Sequence, residues 1–108
     1  MLSRKFRVTK EDMELVIRSG KGPSHDFFYV KTLANNLNNS RFAVIVSKKI
    51  EKTSVGRHLL KRRVWAIIDK LEKKRFKKQM DFAFFVKKAF DKKDILTIKG
   101  QVERIVLE

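Results

Sequence analysis

The sequence predicts an α+β sandwich of the split β-α-β, ferredoxin-like kind, and three observations predict it. First, Leu60, Val64, Ile67, Ile68 and Leu71 fall at i, i+4, i+7, i+8 and i+11 within residues 55–75, which makes an apolar helical stripe about 100° wide. Second, three bulky, β-prone stretches lie near residues 27–33, 41–47 and 80–86, two before that helix and one after it. Third, shorter helical patterns open and close the chain, giving the order α-β-β-α-β-α. At 108 residues and 43% hydrophobic content, residues 1–108 make one domain with a single core.

In chain order, residues 1–10 alternate basic and apolar side chains without helical period and read as an extended basic arm. Thr9 is an N-cap type residue, and Glu11 and Asp12 put acidic charge into the first turn, where the helix dipole favours it. Met13, Val16 and Ile17 form this helix's apolar face, with Leu15 beside it. Gly20 ends it by supplying a left-handed turn before the KGPS stretch. Residues 27–33 and 41–47, joined by an Asn-rich loop, read as an antiparallel pair, the second being the central, doubly buried strand. Thr53 or Ser54 caps the long helix, and the basic run at 73–78 closes it. MDFAFFV is a third strand, and Ile95, Ile98, Val102 and Ile105 mark a last helix across 94–107, weakened by Gly100. If the second and third strands are parallel neighbours, the long helix is their crossover. The first helix then flanks the open sheet face.

Charge narrows the function. Twenty-seven Lys and Arg against twelve Asp and Glu give +15, an imbalance that destabilises the fold by self-repulsion and points to a polyanionic partner, nucleic acid first. With no cysteine there is no disulfide or thiolate metal site, which fits a cytoplasmic protein. No apolar run is long enough for a membrane span, and the N-terminus is charged where a signal peptide is apolar. Two histidines, His25 and His58, supply no metal-ligand spacing, so no metal site is expected. His25-Asp26 reads as a loop pair, and no phosphate-binding glycine loop or placed nucleophile is present. The chain has no catalytic residues to offer as an enzyme acting alone.

The basic constellation is stronger. Lys48, Lys49, Lys52, Arg57, Lys61, Arg62 and Arg63 put seven cations into sixteen residues, interrupted only where the core needs apolar side chains. The bland alternative is a solvated helix face. Trp65 can pack or stack on a base, and His58 can meet phosphate or simply face solvent. Of Phe27, Phe28, Tyr29, Phe82, Phe84 and Phe85, most are core, and one alternating set could stack nucleobases on the open face.

On these residues the chain resembles the protein subunit of bacterial ribonuclease P. The stretch RFAVIVSKKIEKTSVGRHLLKRR (41–63), the strand MDFAFFVKKA (80–89) and the order of elements carry the likeness. Arg57, Lys61 and Arg62 match the family's basic helix, whereas His58, Leu59 and Trp65 stand where asparagine and arginines are usual. The resemblance implies a left-handed β-α-β crossover. It implies a partnership with a catalytic RNA that, with Mg²⁺ bound mainly by the RNA, removes the 5′ leader of precursor tRNA, so that the protein contributes no catalytic side chain. By position it implies that Lys48, Lys49, Lys52, Arg57, His58, Lys61 and Arg62 contact the catalytic RNA, and that Met13, Ile17, Phe28 and Lys31 line a cleft for the leader. Two alternatives stand beside it. One is a general basic RNA-binding or ribosome-associated protein. The other is a protein-only nuclease, which Asp81, Asp91 and Asp94 are too scattered to favour.

Overall fold

A computed structural model describes residues 6–22, 24–37, 39–71 and 79–107. The basic run at 73–78, expected to close the long helix, and the first five residues of the arm lie outside the described residues.

Helix α1 (Lys10–Ser19) begins as the sequence predicts: Thr9 Oγ1 accepts from the Asp12 amide, with Glu11 and Asp12 in the first turn. Its end differs from expectation. Gly20 is extended, φ −69° and ψ 151°, and not left-handed. Glycine is required there by crowding, since a Cβ would stand 2.4 Å from the Val16 carbonyl oxygen and 3.2 Å from the Thr32 one.

Strands β1 (Phe28–Ala34), β2 (Arg41–Ile45) and β3 (Met80–Val86) form one sheet in the order β1-β3-β2. This corrects the expected β1–β2 hairpin. β1 pairs antiparallel with β3, and β2 pairs parallel with β3, so the centre belongs to β3. The reason is burial: MDFAFFV is the most uniformly apolar strand, and only the central position covers both of its faces while bonding both of its edges. The Asn-rich loop turns towards β3, the Asn35 amide donating to the Gln79 carbonyl. Helix α2 (Ser54–Lys70), capped by Thr53, is the β2–β3 crossover, and Leu60, Val64, Ile67, Ile68 and Leu71 are all buried beneath it.

Strand alternation divides the sheet into two faces. Phe28, Val30, Phe42, Val44, Phe82, Phe84 and Val86 meet α2 and α3 (Ile95–Val106) to form the core, with Ile98, Val102 and Val106 from α3. Phe42 stacks on Phe82, and Phe28 meets Phe84 edge-on, both at 5.5 Å between ring centres. A short 3₁₀ turn (Lys92–Asp94) leads into α3 through a reciprocal cap between Asp91 and Asp94.

The second face carries three rows across the strands: Leu33, Asp81 and Arg41; Lys31, Ala83 and Ala43; Tyr29, Phe85 and Ile45. Helix α1 packs on this face, with Val16 fully buried under it. Arg7 forms a bridge along the outer edge of β2, and Lys21 and Ser24 bridge to the outer edge of β1. No described helix is long and apolar enough to cross a membrane.

Candidate nucleic-acid interface

Two surfaces on opposite sides of the sheet hold the candidate residues. The first joins the turn after β2 to the outer face of α2. Lys48, Lys49 and Lys52 are exposed in that turn, which the Ile50 and Glu51 amides close onto the Ser47 carbonyl. Arg57 ties the turn to the helix: its Nη1 donates to the Glu51 and Lys52 carbonyls at 3.1 and 2.8 Å. It is thus a half-buried clip that orients three lysines as well as a cation. Further along the helix, His58 and Arg62 are exposed and Lys61 is half-buried. A shallow groove runs among Ser54, Val55, His58, Leu59 and Arg62. Val55 is 80% exposed and Leu59 46%, so an apolar ridge interrupts the cations.

Arg63 and Trp65 line a neighbouring groove with Leu59, Arg62, Ala66 and Asp69, but each is also engaged by the fold. Arg63 Nη1 donates to the Phe90 carbonyl at 2.8 Å, which spends this cation on holding the β3–α3 connection. Trp65 packs against the core edge, and the Arg7 guanidinium sits 5.7 Å from its ring centre. The packing role expected for Trp65 therefore has a concrete partner in the arm.

The second surface is the cleft beside α1. Leu15 lines a recess with Leu33, Asn35 and Leu37. Met13 and Ile17 lie two residues to either side of it, about 200° round the helix, and so face the opposite way, over the rest of the sheet. Lys31 bridges helix and strand, its Nζ donating to the Ile17 carbonyl and lying 5.8 Å from the centre of the Phe85 ring. Tyr29 is 37% exposed and its ring centre lies 6.1 Å from that of Phe85. Ala43 and Ala83 keep the middle row low. Helix α1 thus lies across a sheet face that carries an aromatic pair and a lysine, with no carboxylate in the Lys31 and Tyr29 rows.

Phe28 is corrected by this geometry. It is 0% exposed and its ring lies in the core on the far face of the sheet. Phe28 and Lys31 are an odd number of residues apart, and a regular strand cannot point both to one face. Period two from Lys31 places Tyr29 and Phe85 on that face, the alternating set among the aromatics that the sequence offered for the open face. The sequence reading missed the network under the N-terminal end of α1. Arg41 Nε and Nη2 donate to the two oxygens of Asp81 at 2.9 and 2.7 Å, both side chains being buried. Asp81 accepts in addition from Asn35 Nδ2 at 2.7 Å, and Arg41 Nη2 reaches Asp12 Oδ2 at 3.0 Å. Bonding to Arg41 and then to Thr9 holds the Asp12 carboxyl below the usual carboxylate range. The Arg41 guanidinium is held charged first by its bond to Asp81.

The three carboxylates weighed for a nuclease are engaged in structure: Asp81 with Arg41, Asp91 and Asp94 in their mutual cap. Among the described residues no three His, Asp or Glu side chains gather as a metal shell.

A family model described as Ribonuclease P matches residues 2–108 of this chain. No curated protein matches it. Among solved structures, the RNase P protein from Thermotoga maritima superposes with a TM-score of 0.75 at 21% identity, covering 93% of this chain and 94% of that one. A Staphylococcus aureus RNase P protein mutant, described as defective in mRNA degradation activity, gives a TM-score of 0.77 at 20% identity over 94% of this chain and 86% of that one. At such identities these likenesses establish the shared fold.

Proposed function

Because this chain belongs to the ribonuclease P protein family, we propose that it joins a catalytic RNA to remove the 5′ leader of precursor tRNA, binding the two RNAs on its two surfaces. The observation that carries the reading is the separation of those surfaces by the sheet. The Lys48–Lys52 turn with Arg57, His58, Lys61 and Arg62 takes the RNA subunit. The cleft of Met13, Ile17, Tyr29, Lys31 and Phe85 takes the leader.

The chemistry of each surface suits its task. Exposed lysines and Arg62 neutralise backbone phosphates and release counterions, which lowers the repulsion between two RNAs and the Mg²⁺ they need. An unpaired leader has accessible base faces, and the aromatic pair offers stacking while Lys31 offers a backbone cation. In this reading the Mg²⁺ is held by the RNA, and Asp81, Asp91 and Asp94 are engaged with Arg41 and with a helix cap. The protein holds, orients and screens; bond cleavage belongs to the RNA.

The test is cleavage of a precursor tRNA at low Mg²⁺ by the ribonuclease P RNA of the same genome, with and without the protein. Cleavage at the mature 5′ end only when both are present is the expected result. A folded, RNA-binding protein that gives no stimulation would transfer the reading to a general RNA-binding protein.

A further inference from the structure

Helix α1 is fastened to the sheet differently at its two ends. At its C-terminal end the backbone itself is tied down: Lys21 and Thr32 exchange amide-to-carbonyl bonds at 3.1 and 2.9 Å, and Lys31 holds the Ile17 carbonyl. Before its N-terminal end the Val8 amide donates to the Phe42 carbonyl at 3.1 Å, and within the first turn of the helix itself the link to the strands is a side-chain ion pair, Asp12 with Arg41. Arg41 is itself locked. Its planar fork lies against the buried Asp81, its register partner on β3, so the face it turns to Asp12 has a fixed position. A buried ion pair adds little net stability over an apolar pair of the same volume, and its surviving use is to select one arrangement.

Resting on the leader-cleft reading above, we propose that Arg41, clamped by Asp81, is a positioning residue for that cleft. Through Asp12 it fixes the N-terminal end of α1, and with it the distance of Met13 and Ile17 from Tyr29, Lys31 and Phe85. Neither Arg41 nor Asp12 touches the leader. Asp12, in the first turn of α1, meets the Leu33–Asp81–Arg41 row through Arg41, whereas the leader residues of the sheet lie on the Lys31 and Tyr29 rows. Releasing Asp12 leaves the first turn of the helix held by the Val8 amide before it and by packing of Val16, so the arrangement that fits the leader becomes one of several. Leader affinity then falls by the fraction of molecules still in it.

The experiment uses the assembled ribonucleoprotein with Asp12→Asn, Asp12→Ala and Asp12→Glu, and measures affinity for precursor tRNAs carrying progressively longer leaders and for leaderless tRNA. Asp12 is half-exposed on a surface helix, so these variants fold. In the Asn and Ala variants the ratio of long-leader to leaderless affinity should fall roughly threefold to tenfold, by the loss of competent population. RNA-subunit affinity should stay within about twofold and the single-turnover cleavage rate at saturation should hold, since α2 and the RNA chemistry are untouched. Asp12→Glu, which keeps the carboxylate, should restore part of the ratio. Amide exchange should quicken in α1 while β3 stays protected. An unchanged leader ratio, or a loss shared equally by leaderless tRNA, overturns the proposal. A wild-type protein with no leader-dependent gain overturns the leader cleft itself, and the wild-type series reports that independently of the variants.

Discussion

The two faces of the sheet hold their functional groups by different means. On the α2 side the core is dry: Phe42, Phe82 and Phe84 pack beneath Leu60, Val64 and Ile68, and the cations stand outside that packing on long, mostly free side chains. On the α1 side two alanines and a buried Arg–Asp pair lie below the helix, and the binding groups are set by a few directed bonds. Charge on the first surface acts at a distance and adds up, so it tolerates loose geometry. Stacking and apolar contact on the second act only in contact, so it needs a fixed width.

Substitutions can break this contrast, beginning with the largest effects. Phe84→Ala should cost about 3–5 kcal/mol by emptying the core, and a denaturation curve should show the loss with both binding functions failing together. Asp81→Ala should cost about 3–5 kcal/mol by stranding the buried Arg41 charge, whereas replacing both partners, Arg41→Met with Asp81→Leu, should return close to wild-type stability. That double variant separates stability from placement, because it restores packing and leaves Asp12 without its anchor.

Smaller effects sharpen the comparison. Tyr29→Ala should weaken leader binding by about 1–3 kcal/mol, the worth of one stacked base, with little change in the denaturation midpoint because the ring is exposed. Arg62→Ala should lower the salt slope of RNA-subunit binding by about 0.7–0.9, and Leu59→Arg should raise it by a similar amount, since each alters one phosphate contact. If Tyr29→Ala changes the salt slope and Arg62→Ala does not, the assignment of the two faces is reversed.

Acid gives the mildest separation. Because Arg41 and Thr9 hold the Asp12 carboxyl low, its contribution is fully present above the ordinary carboxylate value of about 3.9 and is lost as pH falls through the lowered one. Between neutral pH and about 4, α1 amide exchange should therefore follow only the intrinsic chemistry. Below that range α1 should lose protection before β3 does.

Much of the fold is legible in the sequence because it is written in local periodicity. The α2 stripe, the Thr9 and Thr53 caps and the bounds of β3 all follow from neighbours along the chain. Strand order does not, because the pairing of β1 with β3 depends on which strand gains most by lying in the middle. The exposed cations of α2 were readable as a surface for the same local reason. Phe28 was misassigned because FFY is apolar at every position and conceals its own alternation, which Lys31 would have resolved. The network of Arg41, Asp81 and Asp12 escaped notice: each looks like an ordinary surface charge until three distant segments meet.

Both rims of the sheet are occupied, by Arg7 and Val8 along β2 and by Lys21 and Ser24 along β1. A strand with a free rim is a template on which another copy can extend the sheet. In the proposed reading RNA compensates much of the +15 charge, and until it binds the fold stands without that compensation. Short flanking segments bridged to both rims oppose extension of the sheet by another copy in the meantime.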